Sequence, residues 1–198
     1  MSPAGAAMVG VAYLLGSVSF AVLLVRLTTG RDIRTEGSGN AGATNVLRAH
    51  GKGLGIAVAA LDVAKGALAV VLVRLVTADP RAAALAAFAA ILGHVFPLFY
   101  GFRGGKGVAT SVGAFLALAP LPTLVCVGVF VAIVAGTRYV SLGSVAAMVL
   151  LPPVCGLLFH EPKPTVIAAA AAAVLIVVKH RENLARLARG DERRLGRK

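Results

Sequence analysis

The sequence predicts an all-α integral membrane protein with about seven transmembrane helices. Hydrophobic residues make up 58% of the 198 residues and charged residues 14%, and the mean hydropathy is +0.87. A soluble domain has roughly 45–50% apolar and about 25% charged residues. The apolar residues also form long blocks, and the cations collect between these blocks. Long apolar blocks with basic connections are typical of helices that cross a bilayer.

Seven stretches approach the roughly 20 apolar residues that a transmembrane helix needs. They lie at about residues 4–26, 54–77, 82–100, 107–119, 121–137, 142–159 and 164–179. The second contains Asp62 and Lys65, which we expect to pair with each other or to face a polar cavity. The fourth and fifth are short, so a re-entrant pair is an alternative to two full spans. No cation precedes the first stretch, which favours a retained span over a cleaved signal peptide.

The distribution of cations predicts the orientation in the membrane. With the N-terminus outside, sixteen of the twenty Lys and Arg residues fall on one face and three on the other. The positive-inside rule makes the richer face cytoplasmic. The C-terminus is then cytoplasmic, which requires an odd number of spans. We therefore expect a single polytopic domain over 1–198, with a cytoplasm-facing site and a basic cytoplasmic tail over 180–198.

The first cytoplasmic segment, 31–53, combines small residues with hydroxyl and amide side chains. Ser38, Asn40, Thr44 and Asn45 can hydrogen-bond an oxyanion or a polyol, and Arg48 can bind a phosphate through two nitrogens. The alternative is a turn followed by a capped helix, because Ser, Asn and Gly also favour such positions.

The second cytoplasmic segment, "GFRGGKGVAT", places three glycines around one lysine before the fourth span. Gly104, Gly105 and Gly107 flank Lys106. Backbone N–H groups at a helix start, together with an ammonium group, form a suitable phosphate cradle. The segment is not a Walker A loop, because Tyr100 stands where that pattern requires glycine. The alternative is a flexible loop whose cations merely follow the topology.

The third cytoplasmic segment, "TRYVSLGS", has polar residues at helical spacing. Arg138, Ser141 and Ser144 are three residues apart, so they are predicted to face one cavity. Serine hydroxyls in membrane helices also commonly stabilise helix–helix packing, and this structural role is the alternative for each serine.

The fourth segment, "KHRENLARL", places His180 and Asn183 on one helix face next to the membrane. Beyond Leu187 we expect only an interfacial basic helix. His94, near the mouth of the glycine segment, is expected to be a packed, hydrogen-bonding residue. The four histidines are dispersed and lack matching carboxylates, which argues against a metal site.

The net charge of +12 also raises the possibility of nucleic-acid binding. The sequence lacks a zinc-ligand set and an aromatic RNA-binding stripe, so basic cytoplasmic loops explain the charge more simply. Cys126 and Cys155 lie inside apolar runs and are expected to be small buried hydrophobic residues.

Taken together, six segments resemble one family. They are "LLGSVSF", "GSGNAGATNVLRAHGKG", "LDVAKG", "LGHVFPLFYGFRGGKGVAT", "RYVSLGS" and "KHRENLARL", in that order from about Leu14 to Leu187. The chain resembles the bacterial membrane glycerol-3-phosphate acyltransferases that use acyl phosphate as donor. This resemblance implies seven spans, a site facing the cytoplasm and a place in the bacterial cytoplasmic (inner) membrane.

The resemblance and the segments above give three groups of candidate residues. The expected catalytic residues are Ser38, Arg48, Lys106, Ser144, His180 and Asn183. The expected substrate- or phosphate-binding residues are Gly39, Asn40, Thr44, Asn45, Gly104, Gly105, Gly107 and Thr110. The expected supporting residues are Asp62, Lys65, His94 and Ser141, although the choice of Ser144 over Ser141 for the catalytic group remains open.

The implied reaction acylates the 1-hydroxyl of sn-glycerol 3-phosphate, giving lysophosphatidate and phosphate, as the first step of phospholipid synthesis. It implies no metal or other cofactor, and an enzyme that produces acyl phosphate would supply the donor. The proton of the attacking hydroxyl would go to His180 or to the leaving phosphate. The main alternative function is a small transporter for phosphorylated metabolites, although its outer loops "TADPR" and "HEPKP" offer little to bind a solute. A lipid-binding scaffold would not explain the polar residues around Asn40.

Overall fold

The computed structural model describes residues 1–196, which form helices and turns with no β-strand among them. The ten α-helices are α1 (Pro3–Gly16), α2 (Phe20–Thr29), α3 (Ala43–His50), α4 (Lys52–Val76), α5 (Pro80–Val95), α6 (Val108–Leu118), α7 (Pro120–Thr137), α8 (Val140–Pro153), α9 (Lys163–Lys179) and α10 (Arg181–Arg189). Short 3₁₀ turns occur at Ile33–Thr35 and Leu98–Tyr100, and a π-helical turn at Val154–Leu158. The chain divides into two compact units, one ending at Leu118 and the other beginning at Ala119.

Five helical stretches are long and apolar enough to cross a membrane. They are Pro3–Thr29, Lys52–Val76, Pro80–Tyr100, Pro120–Thr137 and Val140–Leu158. The pair α9–α10, bent by 57°, gives a sixth if it counts as one span. Helix α6 has 11 residues and is therefore only about 16 Å long, against a hydrocarbon core of about 30 Å. The all-helical membrane class is confirmed, and the count of seven spans and their orientation stay predictions.

In the first unit, α1 and α5 approach each other closely through glycines. A Cβ on Gly16 would overlap the Ala90 carbonyl, and a Cβ on Gly93 would overlap the Tyr13 carbonyl. Near the helix starts, Gly5 lies beside Ala82. The two helices therefore run in the same direction, with backbones closer than larger residues would allow.

Helices α4 and α6 make a second close glycine contact. A Cβ on Gly66 would overlap the Thr110 carbonyl, and a Cβ on Gly113 would overlap the Val63 carbonyl. Because Thr110 lies in the first turn of α6, this short helix begins beside the middle of α4 rather than beside its start at Lys52.

The end of α6 is held by the end of α4. The Arg74 guanidinium donates to the carbonyls of Ala117 and Leu118, with an Nη2–O distance of 3.1 Å to Leu118. A cation at these carbonyls satisfies acceptors that the helix leaves unpaired and complements the helix dipole. Helix α6 thus runs parallel to the second half of α4 and ends at the same level as it.

The two ends of the first unit differ in chemistry. At one end, the Met1 amino group lies 3.7 Å from Asp79, which caps α5 by accepting from the Arg81 N–H. The α4–α5 connection and the end of α6 share this end. The opposite end holds the 31–51 loop and the 96–107 segment, which carry five of the unit's ten Lys and Arg residues.

In the second unit, α8 packs against both α7 and α9. Gly143 of α8 allows close approach to Phe130 and Val134 of α7. The last turn of α8 contains Pro152 and Pro153, and the chain continues directly into the π-helical turn. A proline in a helix removes one backbone hydrogen bond and crowds the preceding turn, which accounts for the change of geometry here.

Candidate active site

The Asn45 side chain organises the 31–51 loop, called the first loop below, from within. Its Nδ2 donates to the carbonyls of Ile33 (3.3 Å), Glu36 (3.0 Å) and Asn40 (3.1 Å), and its Oδ1 accepts from the Ser38 N–H at 2.9 Å. The side chain is 4% exposed. One buried amide therefore fixes the backbone on both sides of the polar stretch.

Glycine is required beside this amide. Gly37 has φ +60° and Gly39 has φ +70°, a left-handed conformation that other residues adopt at a cost. A Cβ on Gly37 would also overlap Oδ1 of Asn45. The small residues in this loop thus make the compact turn possible, as the turn alternative predicted, but the helix that follows has Gly42 at its N-cap and no side-chain cap.

An ion cluster of Arg26, Asp32 and Arg34 ties the first loop to the glycine segment, taken here as residues 96–107. Asp32 accepts from Arg34 and from Arg26, with closest distances of 2.7 Å to each. Arg34 also donates to the Tyr100 carbonyl at 2.8 Å and lies 5.9 Å from the ring centre. The hydrogen bond from Arg34 is the main cause that lowers the pKa of Asp32 well below its usual range. The carboxylate stays charged and holds Arg34 in place.

The first loop and the glycine segment meet at Gly105. A Cβ on Gly105 would overlap Nε2 of His94 and would lie 2.9 Å from the Ala41 carbonyl oxygen. The Gly105 N–H donates to the His94 carbonyl at 3.1 Å. The glycine segment is therefore fixed between the first loop and α5, which is not the geometry of a loose connection.

A buried polar cluster lies behind this contact. Lys65 Nζ is 2.8 Å from Asp62 Oδ1, 3.0 Å from His94 Nδ1 and 2.6 Å from the Val18 carbonyl, and it lies over the Phe20 ring at 5.6 Å. The three ionisable side chains are between 1% and 6% exposed. Asp62 and Lys65 do pair, as expected. They also hold His94, which is a packed hydrogen-bonding residue.

Lys106 lies near the start of α6, and Arg48 lies in the last turn of α3. Arg48 is exposed, and Lys106 is half-buried. Thr110, in the first turn of α6, is fully buried, and its hydroxyl has no hydrogen-bond partner within residues 1–196. It faces the packed interior of the unit rather than the loop surface.

In the second unit, the bend between α9 and α10 occurs at His180. Its Nδ1 lies 2.8 Å from the Ile176 carbonyl oxygen, and the side chain is 3% exposed. A carbonyl only accepts, so Nδ1 carries a proton and donates this hydrogen bond. Ser144 donates to the Val140 carbonyl at 2.8 Å, a hydrogen bond within its own helix.

The prediction that Arg138 shares one helix face with Ser141 and Ser144 is wrong. Helix α8 begins at Val140, and Arg138 has φ +62° at the end of α7. It lies outside the helix, so its spacing from Ser141 and Ser144 does not place it on their face. Ser141 and Ser144 are both buried on α8.

The tail is also more than an interfacial basic helix. Helix α10 ends at Arg189, and the chain then returns so that Glu192 is buried and accepts from Ser141, Asn183 and Arg186. Nothing in the local pattern "GDERR" distinguished this acid from its exposed neighbour Asp191. Only the fold brings these groups together.

Comparison with known proteins identifies the family. A family model described as "Glycerol-3-phosphate acyltransferase" matches residues 6–190. The chain belongs to the glycerol-3-phosphate acyltransferase family. The acyltransferase of Clostridioides difficile (strain 630) is 45% identical over 193 residues, covering 95% of this chain and 94% of that protein. That of Geobacter sulfurreducens is 47% identical over 186 residues, covering 93% and 94%.

Two solved structures of the integral membrane glycerol 3-phosphate acyltransferase PlsY have the same fold as this acyltransferase. The glycerol 3-phosphate form has a TM-score of 0.91 and 39% identity, covering 97% of this chain and 96% of that one. The lysophosphatidic acid form has a TM-score of 0.88 and 37% identity, covering 97% and 95%. These matches confirm the family resemblance and the multi-pass membrane character.

The predicted site residues of this acyltransferase fall into two sets by unit. The first unit brings together the residues of the first loop and the glycine segment, with Asp62, Lys65 and His94 behind them. The second unit brings Ser141 and Asn183 to one carboxylate. Sequence reasoning missed Arg34, Asp32 and Glu192. Local sequence patterns could not group these residues. The hydrogen bond from Arg34 to Tyr100 joins residues 66 positions apart, and the hydrogen bond from Ser141 to Glu192 joins residues 51 positions apart.

Proposed function

We propose that this acyltransferase takes its acyl group from an acyl phosphate and transfers it to the 1-hydroxyl of sn-glycerol 3-phosphate. The products are lysophosphatidate and inorganic phosphate. The observation that carries the proposal is the contact between the two basic loops, at Gly105 and Ala41 and at Arg34 and Tyr100. Both reactants carry a phosphate, and adjoining cationic loops suit two anions held side by side.

Arg48 and Lys106 are the proposed phosphate ligands. Arg48 is exposed on α3, and a guanidinium can bind two phosphate oxygens at once. Lys106 lies two residues before α6, where first-turn N–H groups and the helix dipole favour an anion. The buried cluster of Asp62, Lys65 and His94 fixes the backbone that carries Lys106.

The chemistry is an acyl transfer between oxygens. The acceptor hydroxyl oxygen attacks the acyl carbon, a new C–O ester bond forms, and the bond to the phosphate oxygen breaks. Phosphate leaves with the electron pair, and it is a good leaving group. Positioning and charge neutralisation therefore supply most of the catalysis, and the proposed reaction requires no metal or other cofactor.

Two routes carry the proton of the attacking hydroxyl. In one, Nε2 of His180 accepts it, since Nδ1 already donates to Ile176. In the other, the leaving phosphate accepts it. In both, we assign Ser38, Ser144 and Asn183 to orienting the hydroxyls and the acyl carbonyl.

The proposed setting is the bacterial cytoplasmic membrane, with the loops of the first unit facing the cytoplasm. An enzyme that produces acyl phosphate would supply the donor. Family membership leaves the transporter alternative without support, because the matched relatives are acyltransferases.

Donor choice tests the proposal. Purified protein in detergent, with glycerol 3-phosphate and a chelator, should convert palmitoyl phosphate to lysophosphatidate and phosphate in equal amounts. Palmitoyl coenzyme A at the same concentration should give no product above background. Product is identified by mass spectrometry and phosphate by a colorimetric assay. Turnover that strictly requires the coenzyme A thioester would overturn the donor assignment.

A further inference from the structure

Arg34 joins the two segments that carry the proposed phosphate ligands. Its Nε and Nη2 donate to Asp32 at 3.0 Å and 2.7 Å, and its Nη1 donates to the Tyr100 carbonyl at 2.8 Å. Asp32 lies in the first loop, and Tyr100 lies in the glycine segment, six residues before Lys106. One guanidinium therefore connects the first loop to the backbone that leads to Lys106.

The Arg34 side chain is itself held in one conformation. Asp32 also accepts from the Arg34 N–H at 3.0 Å, which caps the 3₁₀ turn Ile33–Thr35, and from Arg26 of α2 at 2.7 Å. A guanidinium that donates two parallel hydrogen bonds to a carboxylate has a geometry that lysine cannot reproduce. The same hydrogen bond from Arg34 keeps the pKa of Asp32 below its usual range, so the carboxylate remains charged.

An apolar contact between the two segments lies beside this bridge. Ile33 is fully buried in one cluster with Val22 and Val25 of α2, and Tyr100 packs against that cluster. Apolar packing is non-directional, so it holds the two segments together without fixing their displacement along the contact. Hydrogen bonds depend on distance and angle, and those of Arg34 therefore fix that displacement.

We propose that Arg34 is a positioning residue that sets the separation of the two phosphate-binding segments. Through that separation, it sets the approach of the acceptor hydroxyl to the acyl carbon. The inference rests on the proposed function, in which Arg48 of α3 and Lys106 of the glycine segment bind the two phosphates.

The parameter that depends on Arg34 is kcat rather than affinity. Each segment has support of its own, because Asn45 holds the first loop and the Gly105 N–H binds the His94 carbonyl. Without the bridge, each segment can still bind its phosphate, but one segment shifts against the other. A misplacement of about 1 Å between reacting groups can cost about 100-fold in rate.

Kinetics and substrate binding test the inference. Arg34→Gln should lower kcat by about 10- to 100-fold. The KM for each substrate should change less than about 3-fold, as should the Kd for glycerol 3-phosphate, measured by calorimetry on the detergent-purified protein without donor. Arg34→Lys keeps the charge but not the two-nitrogen geometry, so most of the loss should remain. Arg31, whose side chain is 74% exposed in the same loop, provides the matched control, and Arg31→Gln should have wild-type kcat.

Asp32→Asn tests the bridge from its other side. An amide replaces the charged acceptor that orients Arg34, so kcat should fall while the Kd for glycerol 3-phosphate holds. If both residues act through one bridge, the double variant should lose no more than Arg34→Gln alone, within about 2-fold. A double variant in which the two separate losses multiply would contradict a shared bridge.

Four results for the Arg34 variants would overturn the inference. Wild-type kcat in Arg34→Gln would remove any role in turnover. A large rise in the Kd for glycerol 3-phosphate at unchanged kcat would make Arg34 a phosphate ligand. Full recovery in Arg34→Lys would leave only an effect of charge. Parallel loss of kcat and affinity in both variants, with a lower midpoint of thermal unfolding, would reduce Arg34 to a structural residue.

The proposed function can fail separately from this inference. If the wild-type enzyme does not use palmitoyl phosphate, the donor assignment is lost. The comparison of Arg34→Gln with Arg31→Gln, made with whichever acyl donor supports turnover, still decides the role of Arg34.

Discussion

At the scale of single residues, Asn45 is the side chain on which the first loop depends. Asn45→Asp should be at least as damaging as Asn45→Ala, because the aspartate would place an oxygen against three carbonyls that now accept from Nδ2. Each variant should lose about 1–3 kcal/mol of local stability. Amide hydrogen exchange in residues 33–45, measured by mass spectrometry, should accelerate, and turnover should fall by about 10-fold or more.

Thr35 is the control in the same loop. Its side chain is exposed, and its hydroxyl donates to the Asp32 carbonyl at 2.9 Å. Thr35→Ala should leave both exchange and turnover close to wild type. If Asn45→Ala exchanged no faster than Thr35→Ala, the buried amide would not be what holds the loop, and direct substrate binding would be the better account of Asn45.

At the scale of elements, the glycine segment depends on its contacts with neighbouring backbone. Gly105→Ala should reduce turnover by about 10- to 100-fold, because the new Cβ would displace the His94 ring or the Ala41 carbonyl. Gly53 is the matched control: it lies in the first turn of α4 with no atom within 4 Å of a built Cβ. Gly53→Ala should retain full turnover and gain about 0.5–1 kcal/mol of stability. Equal activity of the two variants, measured with the donor assay, would contradict a tightly packed glycine segment.

The elements also show what the sequence could predict and what it could not. Hydropathy was sufficient to find α4 and α5, since length and apolar content determine a span. The fourth and fifth spans remained ambiguous because both are short, and the length of the fourth depends on where it begins beside α4. That position is set by the contact of Gly66 with Thr110, which no local pattern encodes. The same holds for Glu192, whose partners lie on two helices.

At the scale of the whole molecule, topology is the prediction with the widest consequences. The first unit has Met1, Asp79 and the end of α6 at one end, and its cationic loops at the other. Because Arg74 near the end of α4 binds Leu118, α6 ends beside the end of α4, and we predict that it completes a crossing that begins at the glycine segment. Irregular backbone inside the hydrocarbon layer, such as the glycine segment before α6, is tolerated where it lines a cavity or is buried in protein. We therefore predict two crossings at α6 and α7 rather than a re-entrant pair.

Cysteine labelling in intact cells decides between these topologies. In a background with Cys126 and Cys155 replaced by Ala, Pro120→Cys should react with a membrane-impermeant maleimide added outside. Ala78→Cys, exposed in the α4–α5 connection, should react in the same way. Lys52→Cys, at the opposite end of α4, should react only after the membrane is permeabilised. If Pro120→Cys stayed unlabelled while Ala78→Cys reacted, α6 and α7 would form a re-entrant pair. The predicted number of spans would then fall from seven to five. Five is still odd, so the two termini would remain on opposite sides of the membrane.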